Sequence, residues 1–137
     1  MALGIVNTMS MENQFKGYLH GVDNPKATLT QSQTVDITWD DPEDILLNGA
    51  ALAAWGGTLL VRSMDHVPQN RYDGTVVVNS KTRNAYSNTP YKDTNLTNGK
   101  TYYYRFFTYD TAGNYVSSKY ITATPSADIV DSPSVGG

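Results

Sequence analysis

The side chains that could do chemistry in this sequence are few and scattered. Its two histidines, His20 and His66, stand far apart, and neither has a partner at the His-x-x-x-His type of spacing that lets two imidazoles share a metal. Both read as surface or loop residues. There is no cysteine, which removes thiolate nucleophiles, thiolate metal sites and disulfides together. No Gly-x-Ser-x-Gly elbow exposes a serine nucleophile. Gly56-Gly57 and Asn98-Gly99 are turn pairs, without the Lys-Ser/Thr that follows in a phosphate-binding loop. Catalysis needs convergent polar groups, so the expectation is a protein that is not an enzyme, with no catalytic residues and no cofactor.

One acidic group could hold a hard cation: Asp40, Asp41, Glu43 and Asp44. Calcium takes six to eight oxygens, and a loop at the end of a sheet could supply several. The alternating Asp-x-Asp-x-Asp pattern is missing, however. Asp41-Pro42-Glu43-Asp44 has instead an N-cap residue, a proline at the first helical position and acids suited to the helix dipole. The favoured expectation is therefore a short helical turn ending before Gly49, with no metal.

The aromatic residues give a sharper hypothesis. Thr101 to Tyr109 alternates so that Tyr102, Tyr104, Phe106 and Thr108 share one side, with Tyr103, Arg105, Phe107 and Tyr109 on the other. If the first side faces a core, Tyr103, Phe107 and Tyr109 form an outward apolar patch, the candidate contact surface. Alternatively, long neighbouring side chains or the N-terminal segment cover them, and cross-strand pairing alone would explain their type.

The elements that would position these residues are strands. Ten Tyr and numerous Val and Thr suit half-buried pleated surfaces, while eleven Gly and six Pro fall mostly between apolar stretches. Val35–Trp39, Thr58–Ser63, Gly74–Asn79, Thr101–Tyr109 and roughly Val116–Thr124 read as strands, and such spacing indicates an all-β sandwich or barrel. The expected core is Val35, Ile37, Trp39, Leu59, Val61, Tyr102, Tyr104 and Phe106. Residues 1–26 read as an N-terminal arm, residues 27–124 as the sandwich and residues 125–137 as a flexible tail. The arm carries Leu3, Ile5, Val6, Phe15 and Tyr18, too apolar for a solvated leader and hence a candidate anchor, unless it folds back over its own sheet.

At 137 residues the chain is long enough to bury one core, and 39% hydrophobic residues argue against wholesale disorder. A net charge of -3 without a basic cluster makes nucleic acid an unsuitable partner. No apolar run approaches the ~20 residues needed to span a bilayer. No cation precedes Lys16, and the first apolar stretch is short, so no export signal is expected. Asn95-Leu96-Thr97 matches a glycosylation sequon but is more simply a turn.

Several of these motifs resemble fibronectin type III domains. That family has a buried tryptophan on its second strand, matched by Trp39. It also has a Leu-x-x-Gly corner before the sixth-strand tyrosine, matched by Leu96-Thr97-Asn98-Gly99 and Tyr102. In such corners the tyrosine hydroxyl bonds to nearby backbone. A closer likeness is to the type III-like domains of tailed-bacteriophage virion proteins. It runs through Trp39-Asp40-Asp41-Pro42-Glu43-Asp44, Leu52, Trp55-Gly56-Gly57-Thr58, Leu60-Val61-Arg62, Pro68, Asp73-Gly74, Thr94, Leu96 to Gly99 and Tyr102-Tyr103-Tyr104. It covers about residues 28–124.

The resemblance implies a fibronectin type III or immunoglobulin-like antiparallel sandwich and a structural protein of a phage particle. The expected role is capsid decoration or a head fibre, made in the host cytoplasm and located in the virion. Its expected partners are other virion proteins, further copies of itself, or a weak host-surface glycan. A tail or baseplate spacer and a secreted bacterial adhesion or carbohydrate-binding module are the alternatives.

Overall fold

Short runs of Thr, Val, Ile and aromatic residues form nine strands in the structure, a computed structural model that describes residues 19–129. They are β1 (Asp23–Thr28), β2 (Val35–Asp40), β3 (Ile45–Leu47), β4 (Ala50–Ala53), β5 (Trp55–Ser63), β6 (Thr75–Ser80), β7 (Tyr91–Asp93), β8 (Tyr102–Asp110) and β9 (Tyr115–Ala123). Hydrogen bonds order them as a three-stranded sheet β1-β2-β7, a two-stranded ribbon β3-β4 and a four-stranded sheet β6-β5-β8-β9. The pairings are antiparallel.

The two larger sheets bury Val35, Ile37 and Trp39 of β2 against Leu60 of β5 and Tyr102, Tyr104 and Phe106 of β8. Trp39 lies 4.9 Å from Tyr86 in a stacked arrangement and 5.0 Å from Phe106. Leu96 closes one end, Gly99 takes a left-handed φ of 85°, and the Thr97 N–H donates to the Tyr102 hydroxyl at 2.9 Å. Asp93 crosses between the sheets, accepting from Arg62 Nη1 at 2.8 Å and from the Tyr104 hydroxyl at 2.7 Å. Burial, followed by that hydrogen bond, pushes the Tyr104 phenol far above its usual range.

Leu59 and Val61 do not join this core. They lie on the opposite face of β5, clustered with Phe107, while Leu60 points between the sheets. A continuous apolar run such as Thr58-Leu59-Leu60-Val61 has no parity of its own. Pairing with β8 supplies it, setting Leu60 opposite Phe106 and Leu59 opposite Phe107.

The expected helical turn after Trp39 is absent, and no helix occurs among the described residues. Asp41 does not cap. Its Oδ1 accepts from the Trp39 indole at 3.0 Å and the Thr58 hydroxyl at 2.7 Å, and its Oδ2 accepts the Asn84 N–H at 2.8 Å. The Trp55 indole in turn donates to Thr58, so one carboxylate anchors a bond chain under both tryptophans. Asp44 Oδ1 accepts both the Trp55 N–H at 2.9 Å and Arg83 Nη2 at 2.6 Å. The Trp55 bond first, and Arg83 second, hold the Asp44 carboxyl below its ordinary value. Asn48-Gly49, with φ of 53° and 82°, turns β3 into β4 as a tight hairpin.

The sandwich also begins earlier than residue 27. Leu19 packs with Ala53 and Trp55, and Val22 enters the main core. The segment is tied in by Val22 N–H to Ser118 Oγ at 2.8 Å and by Thr108 Oγ1 to the His20 carbonyl at 2.8 Å. The proposed anchor residues Leu3, Ile5, Val6, Phe15 and Tyr18 lie outside the described residues. At the other end Pro125 is buried and accepts the Gly99 N–H at 2.8 Å, and residues 130–137 lie outside the described residues.

Candidate contact surface

The outer face of the four-stranded sheet follows from the strand registers. Gly57, Leu59, Val61 and Ser63 of β5 stand opposite Tyr109, Phe107, Arg105 and Tyr103 of β8. On the far side, β9 sets Tyr115 beside Tyr109 and Tyr120 beside Arg105, while β6 sets Val76 beside Val61. Cross-strand neighbours share a face, so aromatic and aliphatic residues line it from edge to edge.

The three residues expected to form a patch here fare differently. Phe107 is only 2% exposed, inside a satellite cluster with Leu59 and Val61. Tyr103 and Tyr109 are half-buried. The covering comes from the β5–β6 connection, residues 64–74, which folds back over the sheet. Pro68 in this flap is buried, and its carbonyl accepts from Arg105 Nη1 at 3.2 Å. Arg105 also donates from Nε to the Ser118 carbonyl and sits 6.0 Å from the Phe107 ring centre. Tyr109 lies across Gly57, where an added Cβ would run into its ring, and its hydroxyl reaches Asn79 Oδ1 at 2.6 Å.

What remains outside is a different set. Tyr72 is 76% exposed, Tyr120 53%, and Met64, Val76 and Tyr115 are also exposed. Of the large exposed hydrophobics among the described residues, Leu46 alone belongs elsewhere, on the β3-β4 ribbon. Arg71 bridges two of them, Tyr72 and Tyr115. Its guanidinium carbon is 4.5 Å from the Tyr72 ring centre and 3.8 Å from that of Tyr115. Tyr115 packs against Tyr109 with centroids 4.8 Å apart. Tyr72, Arg71, Tyr115 and Tyr109 thus form a continuous series of contacts running from the flap onto the sheet.

The flap that carries Arg71 is fixed by its own polar bonds. Asp73 accepts from the Gln69 N–H at 2.8 Å and pairs with His66 Nε2 at 2.8 Å. The Gln69 bond, then the His66 bond, hold its carboxyl below the ordinary range. The Asp73 N–H returns to the Asn70 carbonyl, and the Tyr72 N–H to Asn70 Oδ1. Gly74 leaves the flap at φ 140°, pressed against the Arg62 carbonyl.

His66–Asp73 is the one histidine–carboxylate pair among the described residues, and among those residues no hydroxyl bonds to His66 to complete a nucleophilic relay. His20 contributes its carbonyl, not its ring, to the fold. An open depression of about 480 Å³ lies beside it, lined by Gly21, Val22, Asp23 and Ser117 to Lys119.

Solved structures share this arrangement of strands. A human fibronectin type III domain, the sixth of a fibronectin type III domain containing protein, aligns over 82% of this chain and 90% of its own at 15% identity, with a TM-score of 0.54. The fold is fibronectin type III. A second human fibronectin type III domain matches at 15% identity over 90% of this chain and 86% of its own, with a TM-score of 0.59. A computationally redesigned β-sandwich matches at 24% identity over 80% and 92%, with a TM-score of 0.56. No family model matches the sequence, and no curated protein matches it.

Sequence reasoning missed Arg71, Tyr72, Tyr115 and Tyr120. The signal for the first two was Arg71-Tyr72 sitting directly before the Asp73-Gly74 turn, where a cation and an aromatic side chain are presented together on a connection between strands.

Proposed function

We propose that this protein is a non-catalytic contact domain of a bacteriophage particle, displayed on the capsid as a decorating or head-fibre protein. Its contact surface is the outer face of the β6-β5-β8-β9 sheet. The observation that carries the contact reading is the exposure on that face of Tyr72 and Tyr115, both against Arg71, and of Tyr120 beside Arg105, since Tyr and Arg dominate the energetics of protein interfaces. The particle context is supported by the motif series from Trp39 to Tyr104. A non-catalytic role is supported by the fold, whose fibronectin type III neighbours are typically non-catalytic.

The surface is ordered in advance by Asp73, which ties the flap to Gln69 and His66, and by the buried cluster of Leu59, Val61 and Phe107. A pre-ordered surface loses little conformational freedom on association, which favours a specific protein contact. The partners in this reading are other virion proteins. Electron microscopy of particles carrying a tagged chain tests it. Tag density at regular capsid positions is expected; tag density confined to the tail, or particles without the protein, would overturn the assignment.

A further inference from the structure

We propose that Arg71, in contact with the rings of Tyr72 and Tyr115, is the recognition point for a carboxylate side chain of a protein partner. This rests on the contact-surface reading above and gives that partner its chemistry.

The chain has four arginines, Arg62, Arg71, Arg83 and Arg105. Three find acceptors: Arg62 binds Asp93, Arg83 binds Asp44 and the Pro42 carbonyl, and Arg105 binds the Ser118 and Pro68 carbonyls. Arg71 has no hydrogen-bond acceptor among the described residues, although a chain of net charge -3 has acids to spare. The nearest acid in sequence, Asp73, is engaged by His66 and the Gln69 N–H.

The guanidinium carbon lies 4.5 Å from the Tyr72 ring centre and 3.8 Å from that of Tyr115, and no acceptor among the described residues takes up its N–H groups. Those N–H groups form a rigid fork that fits the two oxygens of a carboxylate. Contact with the two rings restricts the side chain beforehand, which lowers the ordering cost an exposed arginine would incur on binding.

A bare surface ion pair contributes little, because water screens it. Here the aromatic rings of Tyr72 and Tyr115 beside the guanidinium supply apolar cover. An acidic residue flanked by apolar side chains on a protein would shed water at both groups together. A free small anion would need a concave enclosure, and this face is open.

The test is an NMR titration of the full isotope-labelled chain with N-acetyl-Asp-Leu-amide, using N-acetyl-Asn-Leu-amide as the neutral control. The acid is expected to move the Arg71 Nε–H signal and the Tyr72 and Tyr115 ring signals along a saturating curve, and the amide is not. Arg71→Lys should abolish the ring shifts although the charge remains, and Tyr115→Phe should preserve them. Unmoved signals, equal movement at Arg62, Arg83 and Arg105, or an unchanged response in Arg71→Lys would each overturn the proposal. Glucuronate acting at the same signals at a concentration about tenfold lower would also overturn it, in favour of an acidic glycan. The titration reads the free chain, so its failure is separate from a failure of the contact surface, which would show in the assembled particle.

Discussion

Asp41→Ala removes the acceptor shared by the bond chain under both tryptophans. Asp41 is 7% exposed, and its carboxylate receives the Trp39 indole, the Thr58 hydroxyl and the Asn84 N–H. The alanine leaves three donors without their partner in a region that water reaches poorly. Each orphaned buried donor costs ~1–3 kcal/mol, and the Thr58 hydroxyl can rotate to recover part, so the total expected is ~3–5 kcal/mol. Asp41→Ser separates this account from helix capping. Serine caps nearly as well as aspartate, so a capping role would lose no more than ~0.5 kcal/mol. In the bond chain serine is too short to span Trp39, Thr58 and Asn84, and it should behave almost like alanine. Urea unfolding followed by tryptophan fluorescence reads both variants. A serine variant close to wild type, with alanine losing only about 1 kcal/mol, would refute the bond-chain account.

Gly57→Ala should lower stability by ~1–3 kcal/mol in calorimetry, because the new methyl occupies the space of the Tyr109 ring; an unchanged melting temperature would mean the ring is not held there. The Asp44, Asp73 and Asp110 carboxyls are all depressed below 3.8, Asp110 despite its burial because Asn114 and neighbouring N–H groups outweigh that effect. Their stabilisation is therefore fully present above the unfolded value and lost as pH falls through the folded values, so denaturation midpoints should hold down to about pH 4 and drop below it. A midpoint that rises on acidification to about pH 3 would contradict those depressions. Deleting residues 1–26 should destabilise the domain, because Leu19 and Val22 are buried and each side chain contributes ~1.5–3 kcal/mol; a truncated domain with normal melting would show that β1 and its lead-in are dispensable.

The sandwich was legible because its β2 and β8 strands alternate cleanly, so Val35, Ile37, Trp39, Tyr102, Tyr104 and Phe106 declare their own face. β5 does not, since five successive buried residues, Gly57 to Val61, fit either parity until β8 fixes one. The 41–49 stretch misled for a related reason. Asp-Pro-Glu-Asp has the composition of a helix start, but the competing acceptor role of Asp41 depends on Thr58 and Asn84, which are distant in sequence. The Asn48-Gly49 turn was the local sign of a hairpin. The exposed residues of the outer face were only partly legible. Alternation put Phe107 on the outer face, but it carries no information about a flap that folds over that face and brings its own exposed Tyr72 there.

The central claim, a contact surface on the outer face of the four-stranded sheet, is tested most directly by hydroxyl-radical footprinting of the chain, free and assembled on its particle. Protection on assembly is expected at Tyr72, Tyr115 and Tyr120, with Lys26 and Lys92 on the three-stranded sheet unchanged. Protection confined to the three-stranded sheet, with Tyr72 and Tyr120 as reactive on the particle as in solution, would contradict it.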